Sequence, residues 1–203
     1  MSPNRCFIIL ILSLFIISGC AGTLPNTDIN VRVSRHLYSP NLTPSKYAEY
    51  NGKIMIFDSV DVSEHPDITN FYYHNKDKTI GYTLFYSPGS MQQPVSSFFW
   101  YALQKTFESI GITIKEAGPL KNIPQFHLNI LSLTDQEAKL QISLSRNGLL
   151  LIQKEIIIFQ KLPLTKDLDE LEKRQYSYLD LMVETILNDP DFKRDFFSDK
   201  ANI

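Results

Sequence analysis

Apolar residues change spacing several times along this chain, and each spacing predicts a different element. Cys6 to Ile17 is an almost unbroken apolar run. Ile29, Val31 and Val33 then alternate with Asn30, Arg32 and Ser34, the period of a half-buried strand within Asp28–Tyr38. Pro40, Pro44 and polar neighbours predict a loop up to Gly52. Within Lys53–Val60, Ile54 to Phe57 is continuously apolar, as in a central strand covered on both faces. Asn70–His74 and Ile80–Tyr86 are aromatic-rich and predict two strands across the polar turn Asn75-Lys76-Asp77-Lys78. Beyond Ser87-Pro88-Gly89-Ser90 the period lengthens. Val95, Phe99, Leu103, Phe107 and Ile110 recur at spacings of four and three, which predicts a helix over about 94–110. Pro94 fits its first turn and Gly111 a left-handed stop.

The second half reads as a meander closed by a helix. Ile112–Lys115, Phe126–Leu133, Ala138–Ser145 and Leu149–Phe159 are strands, and in the third of these Ala138, Leu140, Ile142 and Leu144 face one side. Between the last two lies Arg146-Asn147-Gly148. A two-residue loop there would set Ile142 against Gln153, mixing the faces. A three-residue loop with Gly148 left-handed pairs Leu144 with Leu150, Ile142 with Ile152 and Ala138 with Ile156, and is the preferred reading. Lys154 then sits awkwardly opposite Leu140. A helix over about 168–188 follows, capped by Asp167 with Glu170 three residues on, carrying Leu168, Leu171, Leu179, Met182 and Ile186 on one face and ending at Pro190. Phe192, Phe196 and Phe197 fit one more helical turn. The fold class expected is α+β: a mostly antiparallel sheet of about five to seven strands with two main helices packed on it.

The N-terminal run is an address signal. Asn4 and Arg5 precede it, and Ile17-Ser18-Gly19-Cys20 follows at once. Twelve apolar residues are too few for a bilayer that needs roughly 20, but suit a secretory signal. Small residues at Ser18 and Gly19 let a peptidase seat an extended chain, and the soft sulfur of Cys20 is the nucleophile that takes a lipid. Residues 1–19 are thus expected to be a lipoprotein signal peptide, 20–27 a lipidated tether with Pro25, and 28–203 one α+β periplasmic domain. A diacylglyceryl group plus an N-acyl chain, palmitate-like, would bind membrane lipid stably where a single chain would not. Ala21 differs from the aspartate that resembles an inner-membrane retention signal, so a periplasm-facing place on the bacterial outer membrane is expected.

Charge and cysteine content narrow the chemistry. The formal net charge of −2 becomes one unit more negative once Arg5 leaves, which excludes a nucleic-acid-binding surface. The two cysteines are Cys6, in the signal, and Cys20, so the folded domain has no thiol for a disulfide or metal. His36, His65, His74 and His127 show no ligand spacing, and His127 reads as an outward or packed strand residue. Asp58, Asp61, Glu64 and Asp67 form the densest acidic stretch around His65, but they lack the glycine and terminal glutamate of a calcium loop and read as a solvated loop. No nucleophile elbow, phosphate loop or zincin motif occurs. No catalytic residue, metal or cofactor is expected.

Aromatic residues are more informative. Phe71, Tyr72, Tyr73, Tyr82, Phe85 and Tyr86 precede Phe98, Phe99, Trp100 and Tyr101. Four successive rings at a helix start point in four directions, so either the helix is nearly surrounded or some rings form an exposed partner or ligand surface. Tyr72, Tyr73, Tyr86, Trp100 and Tyr101 are the candidates for that surface.

The helix ending Gly-Ile-x-Ile, the run Phe126-His-Leu-Asn-Ile-Leu-Ser-Leu into Ala138-Lys-Leu-Gln-Ile-Ser-Leu, the Asn-Gly hairpin and the closing helix Tyr178-Leu-Asp-Leu-Met-Val-Glu-Thr-Ile-Leu resemble small Gram-negative outer-membrane lipoproteins. The resemblance is to the YajG type or the auxiliary lipoproteins of ABC-type lipid transporters, the PqiC/YmbA type. It implies a layered α/β fold, an outer-membrane anchor and a non-enzymatic accessory role beside an envelope protein partner, a transporter or assembly machine. Rival readings are a periplasmic carrier of a lipid or other hydrophobic ligand, and a hydrolase with an unrecognised site.

Overall fold

A computed structural model describes residues 27–66, 68–115, 121–161, 163 and 165–198. The expected signal, lipobox and lipidation residues Ile17, Ser18, Gly19 and Cys20 lie outside the described residues. Among the described residues eight strands occur in chain order: β1 (Ile29–Ser34), β2 (Ile54–Val62), β3 (Tyr72–His74), β4 (Ile80–Phe85), β5 (Thr113–Lys115), β6 (Gln125–Leu133), β7 (Glu137–Arg146) and β8 (Leu149–Phe159). Among the described residues these helices accompany them: α1 (Val95–Ser109), α2 (Leu168–Asn188) and α3 (Pro190–Phe197). A 3-10 turn, Arg35–Leu37, ends the strand expected within Asp28–Tyr38, and another, Pro44–Tyr50, occupies the stretch expected to be loop.

The α+β class holds, with the helices packed on sheet. The single, mostly antiparallel sheet does not. A three-stranded sheet has the order β1-β4-β3 and a five-stranded sheet the order β5-β2-β6-β7-β8. The pairs β1/β4, β2/β5 and β2/β6 are parallel, and β3/β4, β6/β7 and β7/β8 antiparallel. Parallel pairing requires crossover connections. Strands adjacent in sequence suggested hairpins, whereas β2 pairs with β5 only after the chain has made β3, β4 and α1.

One core unites the two sheets. Phe126 on β6 is fully buried and sits 5.4 Å from the Phe57 ring of β2, 5.8 Å from Phe107 of α1 and 5.6 Å from Phe192 of α3. Leu128, Ile130, Leu140, Ile142 and Leu144 continue this face, and α2 covers it with Leu179, Met182, Val183 and Ile186. Each such side chain removed from water is worth about 1.5–3 kcal/mol. Asp167 caps α2, accepting from the Asp169 and Glu170 amides at 2.9 and 3.0 Å. Asp189 caps α3 likewise, through Asp191 and Phe192 at 3.1 and 2.9 Å. Pro190 therefore ends one helix and begins another, as a first-turn proline can because its missing N–H has no partner there. Buried Arg146 closes α3 by donating to the Phe196 carbonyl at 2.8 Å and to that of Ser198.

The β7–β8 hairpin corrects the three-residue loop. Arg146 pairs with Leu149 across a two-residue turn in which Asn147 and Gly148 have φ of 52° and 78°. Both positive values match a turn that follows the right-handed twist of its strands. A bulge then resets the register, because Ser145 pairs with Leu150 but Leu144 with Ile152. Ile142 consequently faces Lys154, Leu140 faces Ile156 and Ala138 faces Ile158. Lys154 is accommodated at the end of α3, with Nζ at 2.7 Å from Asp189 and 2.8 Å from Asp191.

Candidate functional site

The site is built where three elements end or begin. In the parallel β1/β4 pair, Ser34 lies beside Phe85, so the next residues, Arg35 and Tyr86, emerge together. A backbone bond from His36 N–H to the Tyr86 carbonyl at 2.7 Å extends the pairing one step further. Tyr101, in the second turn of α1, completes the arrangement. The Arg35 guanidinium carbon stands 4.0 Å from the Tyr101 ring centroid and 4.8 Å from that of Tyr86. A planar cation held against two ring faces is attracted by their quadrupoles. Partial burial pulls the Arg35 pKa below the usual arginine value, with the two tyrosines acting in the opposite sense. Arg35 Nη1 is buried without a hydrogen-bond acceptor.

A hollow of about 310 Å³ opens over this stack, lined also by His36, Gln104, Lys105 and Glu108. Lys105 Nζ donates to the Tyr38 carbonyl, and Gln104 Nε2 donates to Glu108 at 3.0 Å. On its other side Tyr101 borders a groove of about 300 Å³ with Asp58, Ser59, Val60, Ser96, Ser97 and Trp100. A third depression of about 330 Å³ continues past Val60 and Ser96 to Asp61, Glu64 and Asn70. Together they form an open strip along the flank of α1.

The five candidate aromatics divide. Tyr86 and Tyr101 are 50% and 47% exposed and meet at Arg35. Trp100 is half-buried, stacked 5.8 Å from Phe57 with its indole N–H on the Phe57 carbonyl at 3.2 Å, and its outer edge meets Tyr101 at 4.7 Å. Tyr72 lies on the outer face of β3, its ring 5.1 Å from His74, apart from the strip. Tyr73 is a core residue and no part of a surface. It is 2% exposed, stacked on Tyr82 at 5.1 Å, with its hydroxyl donating to Gln175 at 2.6 Å. Strand alternation is the reason, since neighbours on β3 must face opposite ways. Of the four rings opening α1, Phe98 and Phe99 are buried, Trp100 is half-buried and Tyr101 is exposed.

Histidine and acidic residues also reassort. Asp58 and Asp61 lie on β2, so the acidic stretch starts on a strand and not in a loop, and Asp67 is outside the described residues. A bulge between Phe57 and Val60 keeps Val60 and Val62 inward and turns Ser59 and Asp61 outward. His127 meets both: Ser59 Oγ is 2.8 Å from Nδ1 and Asp61 Oδ2 is 3.5 Å from Nε2. Serine, imidazole and carboxylate therefore touch in sequence, on an open sheet face where Asp61 is 66% exposed. This trio is half-solvated, with Ser59 in the β2 bulge and His127 within β6, and not on the strand-to-helix turn that presents a nucleophilic serine. Among the described residues no group of three His, Cys, Asp or Glu side chains is placed to hold a metal.

Sequence reasoning missed Arg35, Ser59 and the pairing role of His127. Residues 35, 86 and 101 share no local motif; the parallel β1/β4 pairing sets Arg35 beside Tyr86, and the placement of α1 adds Tyr101.

No family model and no curated protein matches the chain. Among solved structures it is similar to an uncharacterised protein at 11% identity, covering 79% of this chain and 99% of that one with a TM-score of 0.44. It is also similar to a Xanthomonas campestris protein of the DUF330 family at 8% identity, covering 78% and 92%, with a TM-score of 0.47.

Proposed function

We propose that this protein is a lipid-anchored, periplasm-facing lipoprotein of the bacterial outer membrane that acts as a non-enzymatic accessory or binding subunit in envelope lipid transport or assembly. The observation that carries the binding role is the strip on the α1 flank, where Tyr86 and Tyr101 are half-exposed around Arg35. Tyrosine and arginine together are the residues enriched where protein surfaces are recognised. The anchor rests on the Ile17-Ser18-Gly19-Cys20 box and the short apolar run before it. A non-enzymatic role is favoured by the solvated state of the Ser59–His127–Asp61 trio.

The carrier reading has less support. It needs a hollow beneath residues 71–86, and that space holds Tyr73, Tyr82, Leu84 and Phe99, all buried, with Tyr73 stacked on Tyr82. A photo-crosslinking side chain at Tyr101 in the native host tests the accessory role, with the same group at Gln153 on the opposite flank as control. A discrete adduct from position 101 alone, identified by mass spectrometry as a transport or assembly component, is the expected result. Monomer only, or equal labelling from both positions, refutes the role.

A further inference from the structure

The Arg35 hollow has a chemistry of its own. Among the described residues, Arg146, Arg174 and Arg194 donate to carbonyl or carboxylate oxygens. Arg32 lies exposed over the Phe85 ring, whereas Arg35 is partly buried against two rings and its Nη1 is buried without a hydrogen-bond acceptor. A partly buried cation without a counter-ion is costly to keep, and an anion arriving from solution supplies what the chain does not. Lys105 and His36 stand on the same wall. Among the described residues Glu108 is the one carboxylate lining the hollow; it is exposed and engaged by Gln104.

We propose that this hollow binds a phosphate group, with Arg35 as the planar donor fork and Lys105 as a second positive charge. Stacking on two rings restrains the plane of the guanidinium before a ligand arrives, and with Nη1 buried in that stack the remaining N–H groups are the ones left to meet a phosphate. The hollow, at about 310 Å³, holds about ten times the volume of one liquid water molecule, leaving room for the group esterified to the phosphate. The phosphate is carried either by a phospholipid headgroup, with glycerol esterified to it, or by a soluble phosphomonoester. The inference rests on reading the α1 flank as a binding surface and is independent of which protein, if any, also docks there.

The test is a titration of the full chain, 15N-labelled and purified in a phosphate-free nonionic detergent, with inorganic phosphate, glycerol 3-phosphate and dihexanoylphosphatidylglycerol. Saturable amide shifts centred on Arg35, His36, Tyr86 and Tyr101 are expected, weakened at least tenfold in Arg35→Gln. Glu108→Gln removes the opposing carboxylate from an exposed position and should tighten binding several-fold; it decides the matter if Arg35→Gln melts early. Affinity for dihexanoylphosphatidylglycerol ten times that for glycerol 3-phosphate supports a lipid headgroup, and equal affinities support a soluble phosphate. Absence of saturable shifts with all three ligands, equal binding of acetate, unchanged affinity in a folded Arg35→Gln, or no tightening in Glu108→Gln overturns the proposal. A failed titration with a positive crosslink at Tyr101 would leave the accessory role standing and remove only the phosphate site.

Discussion

Gly111→Ala is the sharpest test of how α1 hands the chain to β5. Gly111 has φ of +91°, and a Cβ there would lie 2.1 Å from Asn51 Oδ1 and 3.2 Å from Asn51 Cα. Its carbonyl also accepts from the Gly52 amide at 2.9 Å, which ties the helix end to the entry of β2. Three effects add. The left-handed backbone costs an L-residue about 1–2 kcal/mol. Asn51 is exposed and its side chain can swing aside, at about 0.5–1.5 kcal/mol for an unfavoured rotamer, but its Cα cannot. Alanine also narrows the unfolded ensemble, which returns about 0.4–1 kcal/mol. The net loss is about 0.5–3 kcal/mol, and a domain of this size should melt about 1–12 °C lower. Calorimetric melts of Gly111→Ala, Asn51→Ala and the double variant measure it. Asn51→Ala alone should be near neutral, and in the double variant it should recover at most about 1 kcal/mol, because the backbone strain remains. An unchanged melting temperature for Gly111→Ala, or complete recovery in the double variant, would falsify the account of a left-handed stop pressed against Asn51.

Cys20→Ser should abolish incorporation of labelled palmitate and move the protein from membrane to soluble fractions; unchanged membrane association contradicts the lipid anchor. Asp135 is buried with one carboxylate oxygen on the Tyr82 hydroxyl at 3.1 Å and the other unpartnered, and burial holds its pKa above the ordinary aspartate value. The folded state thus holds this proton more tightly than the unfolded chain. The cost of the charge is absent below about pH 4 and appears as pH rises through the raised folded value. Asp135→Asn should therefore stabilise by about 1 kcal/mol at pH 7, with the gain vanishing in melts near pH 3.5, and a pH-independent effect would contradict burial as the cause. Asp189→Ala removes the α3 cap and a partner of Lys154, whereas Asp167→Ala removes only a cap. Urea unfolding should show a loss of about 0.5–2 kcal/mol for Asp167→Ala and a larger one for Asp189→Ala, and a reversed order would contradict the pairing with Lys154.

What the chain specifies locally was readable from residue order. The spacing of Val95, Phe99, Leu103 and Phe107 predicted α1 to within a residue of Val95–Ser109, and Asp167, with Glu170 following, marked the start of α2. The alternation from Ala138 to Leu144 predicted which face of β7 is buried. Each of these depends on neighbours a few positions apart, where period and capping chemistry act directly. The hairpin shows the limit: Asn147-Gly148 marked the turn, but the bulge after it is set by the demand that Ile156 and Ile158 face the core beneath α2.

Tertiary structure alone decided which distant residues meet. Parallel pairing of β1 with β4 sets Arg35 beside Tyr86, and the crossover that returns through α1 brings Tyr101 over both. The bulge in β2 turns Ser59 and Asp61 toward His127, and strand alternation hides Tyr73 while Tyr86 stays half-exposed. Side-chain period is written into a few consecutive residues, but strand order and register are chosen by the burial of the whole apolar surface. That choice is global, so the linear chain offered Tyr86, Trp100 and Tyr101 as surface candidates but gave no sign of Arg35 between two of them.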